Sequence, residues 1–189
     1  MTGESQSDGV PAEPFPVPPV SFTDAEDRDL VARRFDSADE DAVAALVSMY
    51  EDFDPGMRAQ GIPPVGEERI RSWLSTLLES DGYNVVVWDA DRAVGHATLV
   101  PDGEDQFELA IFVHQDYQGS GVGTRLICTL LGYGAVEGVG HVWLTVERWN
   151  NAAVALYEKV GFETTNAESF ELEMERDLST ADVQTERTG

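Results

Sequence analysis

The chain has 189 residues, a length that suits one domain able to bury a full hydrophobic core, and its 42% hydrophobic content excludes disorder throughout. Thirty-six acidic against twelve basic side chains leave a net charge of −24, which excludes nucleic acid and anionic membrane as partners held by basic surface. No apolar run approaches the roughly 18 residues of a bilayer span, and the lone Cys128 excludes an internal disulfide or a multi-cysteine metal site.

In chain order, residues 1–27 carry five prolines (Pro11, Pro14, Pro16, Pro18 and Pro19) among Gly, Ser, Asp and Glu. This composition cannot form a helix or a central strand and is read as a disordered, Pro-rich acidic arm. The domain proper is placed at 28–178 and a polar, disordered tail at 179–189. Residues 30–35 read as a short strand. Asp36 opens an acid-rich helix start followed by Ala42, Leu46 and Met49 or Tyr50 at helical spacing. A second helix is predicted over 66–79, with Ile70, Trp73, Leu74, Leu77 and Leu78 on one stripe. Strands follow at 84–88 and 93–100, joined by a hairpin turn at 89–92, and at 107–113. A glycine-rich turn leads into a helix over 121–137. A strand at 141–147, a helix over 151–160 and a final strand over 169–178 complete the chain, with room for one more short strand after Gly161. The order β-α-α-β-β-β-α-β-α-β predicts an α+β domain with a mixed, mostly antiparallel sheet and flanking helices.

Eleven of the twelve basic residues are arginine and Lys159 is the one lysine. Abundant acid with scarce lysine, spread along the whole chain, is the composition of proteins that work in molar salt, where a Debye length of about 3 Å screens self-repulsion. A halophilic origin is the expectation. The first residues have neither a basic segment nor an apolar one, so no signal peptide is expected and the location is read as cytoplasmic.

The sharpest chemical feature is Gln118-Gly-Ser-Gly-Val-Gly-Thr124, lying between an apolar strand and an amphipathic helix. Glycines at such a junction let the backbone approach a ligand, and the unpaired N–H groups of the helix start attract phosphate. The glycine spacing fails the dinucleotide fingerprint, since Thr124 stands where that pattern needs glycine, and no lysine completes a Walker loop. The segment resembles motif A of the GNAT (GCN5-related N-acetyltransferase) superfamily, Gln/Arg-x-x-Gly-x-Gly/Ala, filled by Gln118, Gly121 and Gly123. Residues 150–162, Asn-Asn-Ala-Ala-Val-Ala-Leu-Tyr-Glu-Lys-Val-Gly-Phe, resemble motif B of the same superfamily. The likeness spans roughly residues 28–178 and is strongest over 108–162. Gln115 departs from it, standing where the family often has proline.

The resemblance implies the GNAT fold, acetyl-CoA as acyl donor and a primary amine as acceptor, joined in a ternary complex by direct attack. It implies that the backbone of Ile111, Phe112 and Val113 pairs with the pantetheine arm like an added strand. The N–H groups of Gln118, Gly119, Ser120, Gly121, Val122, Gly123 and Thr124 would hold the pyrophosphate, and Asn150 would bond the pantetheine end of the cleft. Tyr157 occupies the family's general-acid position: a phenol of ordinary pKa about 10 is protonated at neutral pH and able to protonate a leaving thiolate. Glu108, on the opposite strand parity to Leu109, Ile111 and Val113, is the candidate base, and a solvated carboxylate is its alternative reading. His114 at the strand end, His96 and His141 in or beside strands, and Cys128 on an apolar helix face read as structural, with no metal-ligand spacing among them.

The acceptor is left between two readings. The strand before motif A is similar to that of Pat-type protein-lysine acetyltransferases, whereas Tyr157 followed by Glu-Lys is closer to N-terminal alanine and small-amine acetyltransferases. A protein lysine or N-terminal amine is preferred, with a small amine or antibiotic, or a non-enzymatic acyl-CoA sensor, as alternatives. No nucleic acid, membrane or metal partner is expected, and a homodimer stays open.

Overall fold

The predicted alternation is realised in the computed structural model, which describes residues 14–57, 63–103, 105–166 and 170–178. Strands β1 (Val20–Thr23) and β2 (Asp29–Arg34) precede helices α1 (Glu40–Glu51) and α2 (Glu67–Leu78). Strands β3 (Tyr83–Asp89), β4 (Arg92–Pro101) and β5 (Gln106–Val113) follow, then α3 (Val122–Val136), β6 (His141–Glu147), α4 (Asn151–Lys159), β7 (Glu163–Asn166) and β8 (Glu171–Asp177). One eight-stranded sheet results, in the order β1-β2-β3-β4-β5-β6-β8-β7. Short turns join β1 to β2, β3 to β4 and β4 to β5 as antiparallel neighbours, β2 and β3 pair antiparallel across the segment carrying α1 and α2, and the crossover through α3 makes β5 and β6 parallel.

Helix starts follow local chemistry. The first helix begins at Glu40 rather than near Asp36, because the Asp39 carboxylate accepts from the N–H groups of Asp41 and Ala42 and so caps it. Two cores cover the two faces of the sheet. Leu126, Ile127, Leu130 and Leu131 of α3 pack on Val85, Val87, Ala97 and Leu99 on one side. Leu46, Met49, Tyr50, Ile70 and Leu74 of α1 and α2 pack on Val86 and Ala93 on the other. Each such side chain contributes about 1.5–3 kcal/mol by leaving water.

The stretch read as a disordered arm is corrected from Pro14 onward; residues 1–13 and the tail 179–189 lie outside the described residues. Val20–Thr23 pairs antiparallel with Asp29–Ala32 as the outermost strand, and Phe15 is buried in the main core. The prolines exclude a helix or a central strand but not an edge strand, which needs ladder bonds on one side only. Gly132 makes room for this segment: a methyl group there would collide with the Pro16 carbonyl where the chain crosses α3.

Candidate active site

The parallel pairing of β5 with β6 is short: Gln106↔His141, Phe107↔Val142 and Glu108↔Trp143. Beyond that last pair, β5 continues to Val113 along β4 while β6 continues to Glu147 along β8, so the two strands part and open a cleft. The edge of β5 along Ile111, Phe112 and Val113 therefore has no β6 partner among the described residues, which leaves backbone groups for an added extended chain. Glu108 sits at the apex of this split.

One bank of the cleft leads into the glycine-rich turn. Gly119 and Gly121 adopt φ of +70° and +91°, and Gly121 is the N-cap of α3. These left-handed values are open to glycine at little cost. The first bond of the helix runs from Arg125 N–H to the Gly121 carbonyl. The N–H groups of Gly119, Ser120, Gly121, Val122, Gly123 and Thr124 donate to no backbone carbonyl among the described residues. They form a row of donors at the positive end of a helix, a ready anion site. A methyl at Gly123 would press on Leu156 of α4 at 3.3 Å, with Val113 of β5 at 3.9 Å. The turn, the end of β5 and α4 thus converge at Gly123.

Gln118 differs from its expected use of the N–H alone: its side-chain Nε2 donates to the Val113 carbonyl at 2.9 Å, tying the turn back to β5. Asn150 closes the start of α4, its Oδ1 accepting from Ala153 N–H at 3.2 Å, so the cap uses the amide oxygen and not the N–H₂. Tyr157 lies seven residues on, two helical turns along the same face. It is buried, edge-on to Phe162, on the α3 side of the sheet. Burial pushes its phenol up to about 12.

Glu108 shares the opposite face with Ala110 and Phe112 by strand alternation. Its carboxyl is pushed above the ordinary carboxylate value, by partial desolvation first and by Asp102 second. The register places Trp143, Thr145 and Glu147 of β6 and Glu175, Glu173 and Glu171 of β8 on that same face. The sheet on this face beside the split is thus lined by carboxylates.

The remaining candidates are structural. His96 is fully buried, held between the Tyr50 hydroxyl at 2.7 Å and Asn84 Oδ1 at 2.9 Å, and burial pushes it down to about 3, so it is neutral. His141 pairs with Asp177 at 2.8 Å, and burial raises the Cys128 thiol. His114 is buried, accepting Asp116 N–H on Nδ1 and meeting Asp52 Oδ2 with Nε2 at 2.8 Å. Gln115 bonds the Asp52 carbonyl at 2.6 Å and accepts Asp54 N–H at 3.1 Å, so it fastens the start of the turn to the loop after α1. Sequence reading missed this fastening, and it missed Asp24 and Arg28, which reach the turn from the first hairpin. No local pattern signals contacts across 60 to 90 residues. Among the described residues, no group of three or more His, Cys, Asp or Glu side chains is arranged to hold a metal, and no helix is long and apolar enough to cross a membrane.

The family model of the Acetyltransferase (GNAT) family matches residues 43–162. An uncharacterized N-acetyltransferase of Mycobacterium bovis is 29% identical over 121 residues, covering 58% of this chain and 78% of that protein. A mycothiol acetyltransferase of Saccharomonospora viridis is 30% identical over 139 residues, covering 69% of this chain but 44% of that protein. Among solved structures, the GNAT domain of S. lividans PAT superposes with a TM-score of 0.73 at 15% identity, covering 85% of this chain and 97% of that one.

Proposed function

The chain belongs to the Acetyltransferase (GNAT) family and is an acetyl-CoA-dependent N-acetyltransferase; from that premise we propose that its acceptor is a protein amine, a lysine or an N-terminus. The observation that carries this reading is the split between β5 and β6, with an anion-binding turn on one bank and an open, carboxylate-lined face on the other. A thioester seated in the split would be met from that face, and carboxylates there favour an acceptor in a cationic, peptide-like context.

In this reading Glu108 takes the proton of the acceptor ammonium, directly or through a water. The free amine then attacks the thioester carbonyl, forming the C–N bond. Backbone N–H groups near Val113 hold the oxyanion of the tetrahedral intermediate. As the C–S bond breaks, Tyr157 gives its proton to the departing thiolate; the nitrogen of the new amide sheds its second proton, which restores the Tyr157 hydroxyl by way of solvent, and the Glu108 proton returns to solvent. Ile111, Phe112 and Val113 align the pantetheine, Asn150 holds its inner end, and the N–H groups of residues 119–124 hold the pyrophosphate, the expected Gln118 N–H being spent on the Gln115 carbonyl at 3.4 Å.

The likeness to a mycothiol acetyltransferase favours a second reading, a small amine as acceptor. A thiol-release assay with acetyl-CoA against basic proteins, peptides and small amines separates the two. The expected result is turnover highest with lysine-containing or N-terminal peptides. Release only with small amines selects the second reading, and binding without any turnover selects a sensor.

The acidity supports a halophilic setting. At 0.1 M salt the Debye length is about 10 Å and a surface of net charge −24 repels itself and the polyanionic donor; molar salt removes both effects. Melting temperature and kcat/KM are therefore expected to rise together from 0.1 M to about 2 M KCl. A flat or falling melting temperature would detach the acidity from salt adaptation.

A further inference from the structure

We infer that Asp24 and Arg28, in the turn between β1 and β2, are positioning residues that clasp the glycine-rich turn in its donor-binding shape; the inference rests on the reading that this turn takes the pyrophosphate of acetyl-CoA. Both lie in the chain's first hairpin, outside the matched residues 43–162.

The geometry is specific. Arg28 Nη1 donates to the Asp116 carbonyl at 2.9 Å and Nη2 reaches Ser120 Oγ at 3.3 Å, while the guanidinium lies over the Tyr117 ring at 3.9 Å. One side chain therefore touches Ser120 of the turn and two residues, Asp116 and Tyr117, that lead into it. Asp24 aims it: one oxygen, Oδ2, accepts from both Arg28 Nε at 2.8 Å and Nη2 at 2.6 Å, so two prongs of the planar guanidinium grip a single carboxylate oxygen. The other oxygen, Oδ1, accepts from the backbone N–H groups of Glu26 and Arg28, each at 3.0 Å, and so fixes the hairpin turn itself. A backbone bond from Ala25 N–H to the Ser120 carbonyl at 3.0 Å completes the seam. With Ser120 held on its carbonyl and its hydroxyl, the flanking N–H donors stay arrayed for an anion rather than folding onto one another. Such pre-organisation lowers the ordering cost of binding.

The Asp24 carboxylate side chain has no exposed surface, and the adjacent guanidinium holds its pKa down at about 2 from 3.8. The sign follows from the depression: the clasp is complete above about pH 4 and is lost as pH falls through about 2.

Asp24→Asn tests this selectively. The amide oxygen can still accept the two turn N–H groups, but an N–H₂ now faces the guanidinium and breaks the two-pronged pair. Arg28→Met removes the clasp outright. Both variants are checked for folding by near-ultraviolet circular dichroism, and the dissociation constant for acetyl-CoA is measured alongside kcat at saturating acetyl-CoA. The expected result is acetyl-CoA affinity about tenfold weaker in each, the loss of one charge-assisted contact network, with kcat within about twofold of wild type. Arg28→Lys, which keeps the charge but not the planar fork, is expected to stay weak. Unchanged affinity in folded Asp24→Asn, or full affinity in Arg28→Lys, overturns the clasp. Gly121→Glu run beside them separates the two layers. If it loses acetyl-CoA while Asp24→Asn does not, the clasp is wrong and the turn remains the donor site. If it binds as wild type, the donor site itself is misplaced.

Discussion

Tyr157→Phe is expected to lower kcat about 10- to 1,000-fold with little change in acetyl-CoA affinity, the usual range for loss of a general acid. The ring keeps its edge-on packing against Phe162, so the substitution removes a proton and little else. Burial that lifts the phenol to about 12 keeps it protonated across any practical assay range. The same burial makes the phenol a weaker acid, and it would raise the basicity of a thiolate formed beside it in the same direction. The pH profile carries a second signature. In the proposed mechanism Glu108 acts deprotonated, and partial desolvation raises its carboxyl above the ordinary value, so kcat/KM is expected to fall on the acid side at a pH higher than an unperturbed glutamate would give. Glu108→Gln removes that limb and lowers the plateau; Tyr157→Phe lowers the plateau and leaves the limb in place. Equal turnover in Tyr157→Phe would return the residue to packing alone.

Gly121→Glu is expected to abolish the rise in melting temperature that acetyl-CoA gives the wild type through binding to the native state. The position has open space around it but a φ of +91°, so any side chain there carries backbone strain. Gly121→Ala shares that strain without the charge and separates the two contributions. Alanine should keep a reduced thermal shift, and glutamate, placing a negative charge at the start of α3 where the anion would sit, should show none. Acetate, which lacks the pyrophosphate, should shift neither variant nor the wild type. A full shift in folded Gly121→Glu would remove the turn from donor binding.

The local elements and the turn were legible in the sequence because their causes are local. Period-2 alternation in 171–177, with Leu172, Met174 and Arg176 against Glu171, Glu173 and Glu175, marks a strand with two unlike faces. Helical spacing of Ile70 and Leu74 marks a helix from within a few residues, whereas the choice of Asp39 over Asp36 as the cap of α1 showed only in the structure. Glycine at 119 and 121 marks positive φ before a helix, and the spacing to Asn150 and Tyr157 carries the rest of the resemblance.

What the chain alone determined is therefore the element order from β2 onward, the acid-rich composition and the identity of the turn. Tertiary structure decided the rest. Pairing energy depends on which strands meet, and only the assembled sheet shows that β5 and β6 share three pairs and then part, making Glu108 the apex of a cleft. The prolines near the start forbid a helix locally, yet whether Val20–Thr23 stays solvated or joins an edge depends on the free ladder groups of β2, which are supplied from elsewhere in the chain. The same holds for Arg28, whose partners at Asp116 and Ser120 lie 88 and 92 residues away. Hydrogen bonds and packing act over a few ångströms in space regardless of separation along the chain, so a contact that joins distant segments leaves no periodic trace in either one.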